Sequence, residues 1–235
     1  MNSFSDVLYR FRNHERTRLL AFGSSNTEHF LPGMHWFDCL EQALNVKYGR
    51  VHTCINTGVC GDTAGKMLAR FVDDAARYEP HLAIVTVGGN DSFSQNGVSR
   101  DEFRANLTEI HRRFMVLNTC VVFQTYYAPD PDQTEPLAPF YAVMDIVREV
   151  AADTGSELVD NLVRWEPFRK AHPELYKPLM KDGFHLNHRG NAVVGVDLAR
   201  FFNAPILNHD LDFWAEPLRI QQMMDELAES ETIDG

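Results

Sequence analysis

Short, almost wholly apolar runs alternate along this chain with longer stretches in which apolar residues recur every three or four positions. A strand buried on both faces is apolar at every position, so the short runs predict strands of a parallel sheet. These strands cover residues 18–22, 51–55, 82–87, 120–125 and 157–159. The longer stretches predict helices, because their spacing places apolar side chains on one helical face. Those side chains are Phe37, Leu40 and Leu44; Ala64, Met67, Leu68 and Phe71; Phe103, Leu107, Ile110, Phe114 and Leu117; and Val143, Ile146 and Val150.

Strands that alternate with helices predict an α/β fold, in which helices cover both faces of a roughly five-stranded parallel sheet. We expect a single domain over the 235 residues, with its core at about residues 15–205. The prolines within residues 128–139 predict a surface loop after the fourth strand. Residues 206–235 predict a helical extension, packed on its own chain or on a partner, with an acidic tail. The tail acids are Asp225, Glu226, Glu229, Glu231 and Asp234.

The net charge of −11 at pH 7 argues against nucleic acid or an anionic membrane as a partner, because both bind basic surfaces. The sequence shows neither a signal-peptide core nor a membrane span of about 20 apolar residues. No two of the four cysteines have Cys-x-x-Cys spacing, which indicates neither a zinc site nor a disulfide framework. We therefore expect a soluble, cytoplasmic protein that acts on a small molecule, either as a monomer or as a homo-oligomer.

Polar or glycine-rich segments follow four of the predicted strands. In parallel sheets, ligands bind outside the carboxyl ends of the strands, so these four segments predict a binding edge. The segments are Ser24-Ser25, Asn56-Thr57-Gly58, Gly88-Gly89-Asn90-Asp91 and Tyr126-Tyr127.

Ser25, in the turn Gly23-Ser24-Ser25 after the first strand, is the candidate nucleophile, and Ser24 is its rival. A serine nucleophile needs a base, and histidine has a suitable pKa. His185 is the candidate base because Asp182, three residues earlier on a glycine-containing turn, can orient its imidazole. His188 is the rival base, but we expect it to begin the following helix. Asp91 and Asp160 are rival carboxylates near strand ends.

Acyl transfer also requires hydrogen-bond donors for the oxyanion that develops in the transition state. The backbone N–H of Ser25 is one candidate donor. Gly61 is the second, because the absence of a side chain permits close approach, and Asp62 or Thr63 would cap the helix that follows. The side-chain amide of Asn90 is the third.

In order along the chain, Ser25, Gly61, Asn90 and His185 resemble the four blocks of the SGNH, or GDSL-like, hydrolase family. Asp182 with His185 is similar to the closing Asp-x-x-His block of that family. The resemblance spans roughly residues 19–190. It implies a three-layer, flavodoxin-like fold and ester hydrolysis through an acyl-enzyme, without a metal or organic cofactor.

The first block departs from the family pattern, since Ser24 stands where Gly-Asp-Ser has its aspartate. This departure leaves the nucleophile in place and removes a carboxylate beside it. We expect altered activity rather than loss of activity, because a hydroxyl still forms hydrogen bonds.

Aromatic and histidine side chains near the predicted edge suit a sugar ring, through contact with its apolar face and hydrogen bonds to its hydroxyls. The candidate substrate-binding residues are His29, Trp36, Tyr126 and Tyr127. His35 is a further candidate, and Trp36 is also a candidate for the core. The resemblance points to deacetylation of carbohydrate esters. The alternatives are a thioesterase or lysophospholipase-type acyl hydrolase and, in a different class, a non-catalytic flavodoxin-like binding module.

Overall fold

The computed structural model describes residues 3–130, 132, 137–204, 206 and 211–233, except the side chains of residues 211 and 231–233. The chain falls into two compact units. The first unit comprises Met1–His29, Arg50–Tyr126 and Thr134–Val159, and the second comprises Phe30–Gly49, Tyr127–Gln133 and Asp160–Gly235. The single domain expected from the sequence therefore stays a prediction.

The first unit contains one all-parallel, five-stranded sheet with the strand order β2-β1-β3-β4-β5. The strands are β1 Thr17–Gly23, β2 His52–Asn56, β3 Leu82–Thr86, β4 Cys120–Gln124 and β5 Glu157–Val159. The sequence prediction is confirmed to within one residue at each end. For β3 and β4 the reason is that every position is buried, as continuous apolar runs predict.

The register of the sheet brings the predicted loops to one edge. In β1, Leu19 pairs with Cys54 on one side and with Leu82 on the other. Because all five strands are parallel, their carboxyl ends lie at the same edge of the sheet. The segments that contain Ser25, Gly61 and Asn90 all begin there.

Ten α-helices are found in the described part of the chain. They are α1 Phe4–Arg12, α2 Trp36–Tyr48, α3 Ala64–Ala69, α4 Phe71–Asp74, α5 Arg100–Val116, α6 Leu137–Thr154, α7 Asn161–Ala171, α8 Pro173–Tyr176, α9 His188–Phe201 and α10 Leu211–Ile233. In the first unit, α5 packs against α3, α6 and β4. Its apolar positions are buried as the spacing predicts, except Leu117, which lies after the last helical residue.

The amphipathic pattern over residues 64–71 does not form one helix. Arg70 lies between α3 and α4 with φ −98° and ψ 9°, outside the helical region, and it serves as the C-cap of one helix and the N-cap of the other. Apolar spacing alone does not reveal such a break, because Met67 and Phe71 are buried on both sides of it.

In the second unit, α9 packs against α2 and α10, and α10 also packs against α7. Trp214 of α10 joins a buried cluster with Cys39, Ala192 and Val196. The predicted C-terminal extension is thus a helix that packs on its own chain.

In the acidic tail, Glu226 and Glu229 are exposed, as predicted, and Asp225 is partly buried. Asp225 forms ion pairs with Arg164 at 2.8 Å and with Arg200 at 3.0 Å. The side chain of Glu231 and all of Asp234 lie outside the described residues.

The predicted surface loop at residues 128–139 lies partly outside the described residues, and its last three residues belong to α6. Ala128, at the start of this segment, is buried. None of the described helices is both long and apolar enough to cross a bilayer.

Candidate active site

Ser25 lies in a tight turn directly after β1. The N–H groups of Thr27 and Glu28 donate to the carbonyl oxygen of Ser24, at 2.9 and 3.0 Å, and these bonds fix the backbone around Ser25. Ser25 retains 9% of its surface exposed, whereas Ser24 is fully buried. The geometry therefore favours Ser25 over Ser24 as the residue that a substrate can reach.

Ser24 has a side-chain partner in place of the charge that an aspartate would bring. Its Oγ lies 2.6 Å from the hydroxyl of Tyr126. Burial raises the pKa of Tyr126 to about 12, although the hydrogen bond with Ser24 opposes this rise, so the pair is neutral at physiological pH. The turn that carries Ser25 is thus supported by two uncharged hydroxyls.

Gly61 adopts a left-handed backbone conformation, with φ +79°, which strains any residue with a side chain. Among the described residues, no hydrogen bond uses its N–H. The carbonyl oxygen of Gly61 accepts a bond from Lys66 Nζ at 2.9 Å, and Thr63 caps α3 as one of the two predicted alternatives. Gly61 therefore has the donor required for the oxyanion role.

The Gly61 loop packs closely on the Ser25 turn. A side chain at Gly58 would lie 2.2 Å from the nitrogen of Glu28, so only glycine fits there. The N–H of Val59 donates to Gly23 O at 3.1 Å, and the N–H of Cys60 donates to the Glu28 carboxylate at 2.7 Å. These contacts bring two of the predicted segments together.

Asn90 reaches the same loop from the end of β3. Its side-chain nitrogen donates to the backbone oxygen of Asp62 at 2.8 Å. An amide nitrogen carries two hydrogens, so this bond leaves a second one for a ligand. Ser25, Gly61 and Asn90 all belong to the first unit.

Asp91, one of the rival carboxylates, binds the backbone at the start of α3. Its Oδ1 accepts the N–H of Ala64 at 3.0 Å, and its Oδ2 has no hydrogen-bond partner among the described residues. Burial raises the pKa of Asp91 to about 6, and the bond from Ala64 only partly offsets this effect.

Asp182 and His185, both in the second unit, form the contact that their spacing predicts. His185 Nδ1 lies 2.8 Å from Asp182 Oδ1 and 3.0 Å from Oδ2. The same Oδ1 accepts the N–H groups of Phe184 at 3.0 Å and His185 at 2.9 Å. Burial acts to raise the pKa of Asp182, but these hydrogen bonds and the imidazole outweigh it, so the pKa is lowered and the carboxylate stays ionised.

Tyr127, a predicted substrate-binding residue, supports the backbone around His185. Its hydroxyl donates to Phe184 O at 2.7 Å and accepts the N–H of Leu186 at 2.9 Å, so one oxygen holds the backbone on both sides of His185. Tyr127 is buried, which leaves little surface for a ligand.

The other candidate ligand residues differ in exposure. His29 is exposed, whereas Tyr126 and Trp36 are buried, and Trp36 retains only 3% of its surface. His35 accepts the N–H of Phe37 at 3.3 Å as the N-cap of α2. His188 begins α9, as expected for the rival base.

Phe30 is a residue near His185 that the sequence reasoning missed. Its side chain is 42% exposed, and its ring lies edge-on to the His185 ring at 6.0 Å. The ammonium of Lys181 lies 4.4 Å from the centre of the same ring. A large apolar residue in a loop directly after predicted site residues is the signal that could have identified it.

Comparisons with known proteins indicate the family of this chain. Residues 21–193 match the model of the GDSL-like lipase/acylhydrolase family. A search of curated sequences found no match.

Solved structures of similar fold include several esterases. An acetyl xylan esterase superposes with a TM-score of 0.70 at 21% identity, over 78% of this chain and 98% of that one. The acetylxylan esterase of Geobacillus stearothermophilus has a TM-score of 0.69 at 20% identity, over 80% and 94%. The lipase/acylhydrolase of Enterococcus faecalis has a TM-score of 0.66 at 20% identity, over 79% and 94%.

These similarities confirm the predicted fold class, an α/β fold built on a five-stranded parallel sheet. The family model covers most of the chain and includes the blocks of Ser25, Gly61, Asn90 and His185. The chain therefore belongs to the GDSL-like lipase/acylhydrolase family, the SGNH hydrolases.

Proposed function

We propose that this protein is a serine esterase that removes small acyl groups, chiefly acetyl, from carbohydrate esters. The observation that carries the proposal is the bidentate contact of the Asp182 carboxylate with His185 Nδ1. This contact fixes the imidazole so that Nε2 is the nitrogen that exchanges a proton, as in other serine hydrolases. Membership of the hydrolase family supports this assignment.

In the proposed reaction, His185 takes the proton of the Ser25 hydroxyl while the Ser25 oxygen attacks the ester carbonyl. The carbonyl oxygen becomes an oxyanion, which accepts hydrogen bonds from the N–H groups of Ser25 and Gly61 and from the amide of Asn90. The tetrahedral intermediate collapses and its C–O bond to the alcohol breaks. His185 gives its proton to the departing alcohol, and the acyl group remains on Ser25.

Water then releases the acid. His185 takes a proton from a water molecule whose oxygen attacks the acyl carbon, and the second intermediate expels the Ser25 oxygen, which recovers that proton. Asp182 orients His185 and stabilises its charged form in both halves of the reaction.

Acetylated sugars are the proposed substrates for two reasons. The solved structures of similar fold include acetyl xylan esterases. In addition, the exposed ring of Phe30 beside His185 offers an apolar face of the kind that sugar rings contact. A reduced, cytoplasmic setting remains a prediction, and none of the four described cysteines forms a disulfide.

The test compares wild type with Ser25→Ala and its matched neighbour Ser24→Ala on p-nitrophenyl acetate. We expect Ser25→Ala to lower kcat by about 10⁴-fold or more, because it removes the nucleophile. Ser24→Ala should retain most of the activity. A fluorophosphonate probe followed by peptide mass spectrometry should label Ser25. Equal activity in Ser25→Ala and wild type, or labelling at Ser24, would contradict the proposal.

The substrate class needs a second comparison. Acetate release from acetylated xylooligosaccharides is measured beside the hydrolysis of acetyl and long-chain acyl thioesters. We expect the highest kcat/KM on the oligosaccharide. A preference for the thioester would instead assign the thioesterase function, and hydrolysis of none of them would favour the binding module.

A further inference from the structure

Arg70 is a charged residue that the sequence pattern places on an ordinary helix, but its environment is unusual. It lies between α3 and α4 with its side chain only 15% exposed. Its guanidinium stacks over the ring of Phe22 in β1, at 4.7 Å from the ring centre. Phe22 and the hydrogen-bond acceptors of Arg70 among the described residues all belong to the first unit.

Three hydrogen bonds connect Arg70 to the carboxyl ends of two strands and to the loop that follows. Nη2 donates to Gly23 O at 3.0 Å, and Nη1 donates to Thr57 O at 2.7 Å. Nε donates to the carboxylate of Asp62 at 2.6 Å in a largely buried ion pair. A further bond runs from Nη1 to Asp74 at 3.3 Å.

Each of the first three acceptors lies within four residues of a proposed oxyanion donor in the sequence. Gly23 lies two residues before Ser25, and Asp62 directly follows Gly61. The backbone oxygen of Asp62 also accepts the side chain of Asn90 at 2.8 Å. One guanidinium is thus bonded, directly or through Asp62, to the segments that carry all three donors.

We propose that Arg70 is the positioning residue for the oxyanion donors, an inference that rests on the function proposed above. Arg70 contacts no substrate atom in this role. Its planar fork holds the Gly23, Thr57 and Asp62 segments at fixed separations, so that the N–H groups of Ser25 and Gly61 and the amide of Asn90 converge on one oxygen atom.

Arginine suits this role and lysine does not. The guanidinium presents five N–H donors in one rigid plane, whereas an ammonium is a single charged point on a flexible stem. Lysine at this position would keep the charge opposite Asp62 but could not reach Gly23 O and Thr57 O in the same geometry.

The experiment compares Arg70→Lys with Arg113→Lys, a matched control. Arg113, on α5, also stacks over a phenylalanine, at 5.7 Å from the Phe71 ring centre. It also pairs with a carboxylate, Glu109 at 2.9 Å, and donates to a backbone oxygen, Leu68 O at 3.2 Å. None of these partners lies in a loop that carries an oxyanion donor.

The measurements are kcat and KM on p-nitrophenyl acetate, and hydrogen exchange of the peptides that span residues 57–62. In Arg70→Lys we expect kcat to fall 10- to 100-fold, KM to change less than threefold, and these amides to exchange faster. Arg113→Lys should keep kcat within threefold of wild type. Asp62→Asn removes the carboxylate of the same ion pair. If Arg70→Lys folds poorly, Asp62→Asn replaces it, and we expect the same changes in kcat, KM and hydrogen exchange.

Equal kcat values in Arg70→Lys and Arg113→Lys would overturn the proposal. A wild-type protein without Ser25-dependent hydrolysis would overturn the proposed function instead. In that case hydrogen exchange alone tests the role of Arg70. Faster exchange at residues 57–62 in Arg70→Lys but not in Arg113→Lys supports the role, and unchanged exchange in Arg70→Lys overturns it.

Discussion

The two groups of candidate catalytic residues are held in opposite ways. Ser25, Gly61 and Asn90 depend on contacts between segments far apart in the sequence, such as the bond from Arg70 to Gly23 and the bond from Asn90 to Asp62. Asp182 and His185 contact each other within a turn of four residues, and the hydroxyl of Tyr127 supports the backbone of that turn. Ser25 is buried and Gly61 and Asn90 are partly buried, whereas Asp182 is exposed.

This difference predicts in which group a substitution changes both the stability of the fold and the activity. Removing a buried polar contact leaves its partner unsatisfied and destabilises the fold, so changes in the first group should affect both properties. An exposed carboxylate in a local turn contributes little to stability, so a change there should affect activity almost alone. Two predictions test this contrast, and a third tests the charge of the buried carboxylate of Asp91, next to Asn90.

The largest effect is expected from Asp182→Asn. The amide still accepts the backbone N–H groups, but it neither fixes the correct tautomer of His185 nor stabilises its charged form. We expect kcat to fall by about 10⁴-fold, with Tm almost unchanged. Asp145→Asn, which changes an exposed aspartate that pairs with Arg148, is the control and should alter neither quantity. A large fall in Tm for Asp182→Asn would break the contrast.

Asn90→Ala should affect both properties. Loss of the proposed oxyanion donor should lower kcat by about 10²- to 10³-fold, and loss of the bond to Asp62 should cost about 1 kcal/mol in the free energy of unfolding. Asn96→Ala removes a comparable amide bond, to Asn90 O at 2.7 Å, and is the matched control. It should lower stability by a similar amount and kcat by less than tenfold. Equal losses of kcat in the two variants would remove Asn90 from the oxyanion site.

Asp91→Asn should show an effect that depends on pH. The pKa of Asp91 is raised by burial from 3.8 to about 6, so the folded state binds the proton more tightly than the unfolded state. The free energy of unfolding therefore falls as the pH rises from about 4 to about 6, by up to about 3 kcal/mol, and the loss persists above pH 6.

Asparagine keeps an acceptor for Ala64 N–H without the charge, so we expect Asp91→Asn to be more stable than wild type at pH 8 and not at pH 4. Urea unfolding at the two pH values measures this difference. Asp73→Asn, on the exposed surface of α4, is the control and should show no such gain. An equal gain at both pH values would show that the cause is not the titration of Asp91.

The sequence predicts the strands and the Asp182–His185 contact well, because both depend on neighbouring residues. A strand buried on both faces is apolar throughout, and a carboxylate three residues before a histidine reaches it within one turn. The hydroxyl of Tyr127 could not be assigned in this way, since its partners Phe184 and Leu186 are nearly sixty residues away along the chain.

The hydrogen bonds of Arg70 could not be predicted from the sequence either. An arginine between two amphipathic segments has the pattern of a solvated helix residue, and no local signal distinguishes one that donates to three distant acceptors. Trp36, Tyr126 and Tyr127 show the converse. Their aromatic character suggests a ligand surface, yet the fold buries all three.

The central place of β1 has a consequence for the timing of synthesis. β1 pairs on both sides with strands that are made after it, so the Ser25 turn has its full backbone support only once residue 86 has emerged. The proposed base, His185, follows about 100 residues later, which takes about 5–20 s at roughly 5–20 residues per second. During that interval the growing chain carries the Ser25 turn without the proposed base, so under the proposed mechanism we expect no ester hydrolysis.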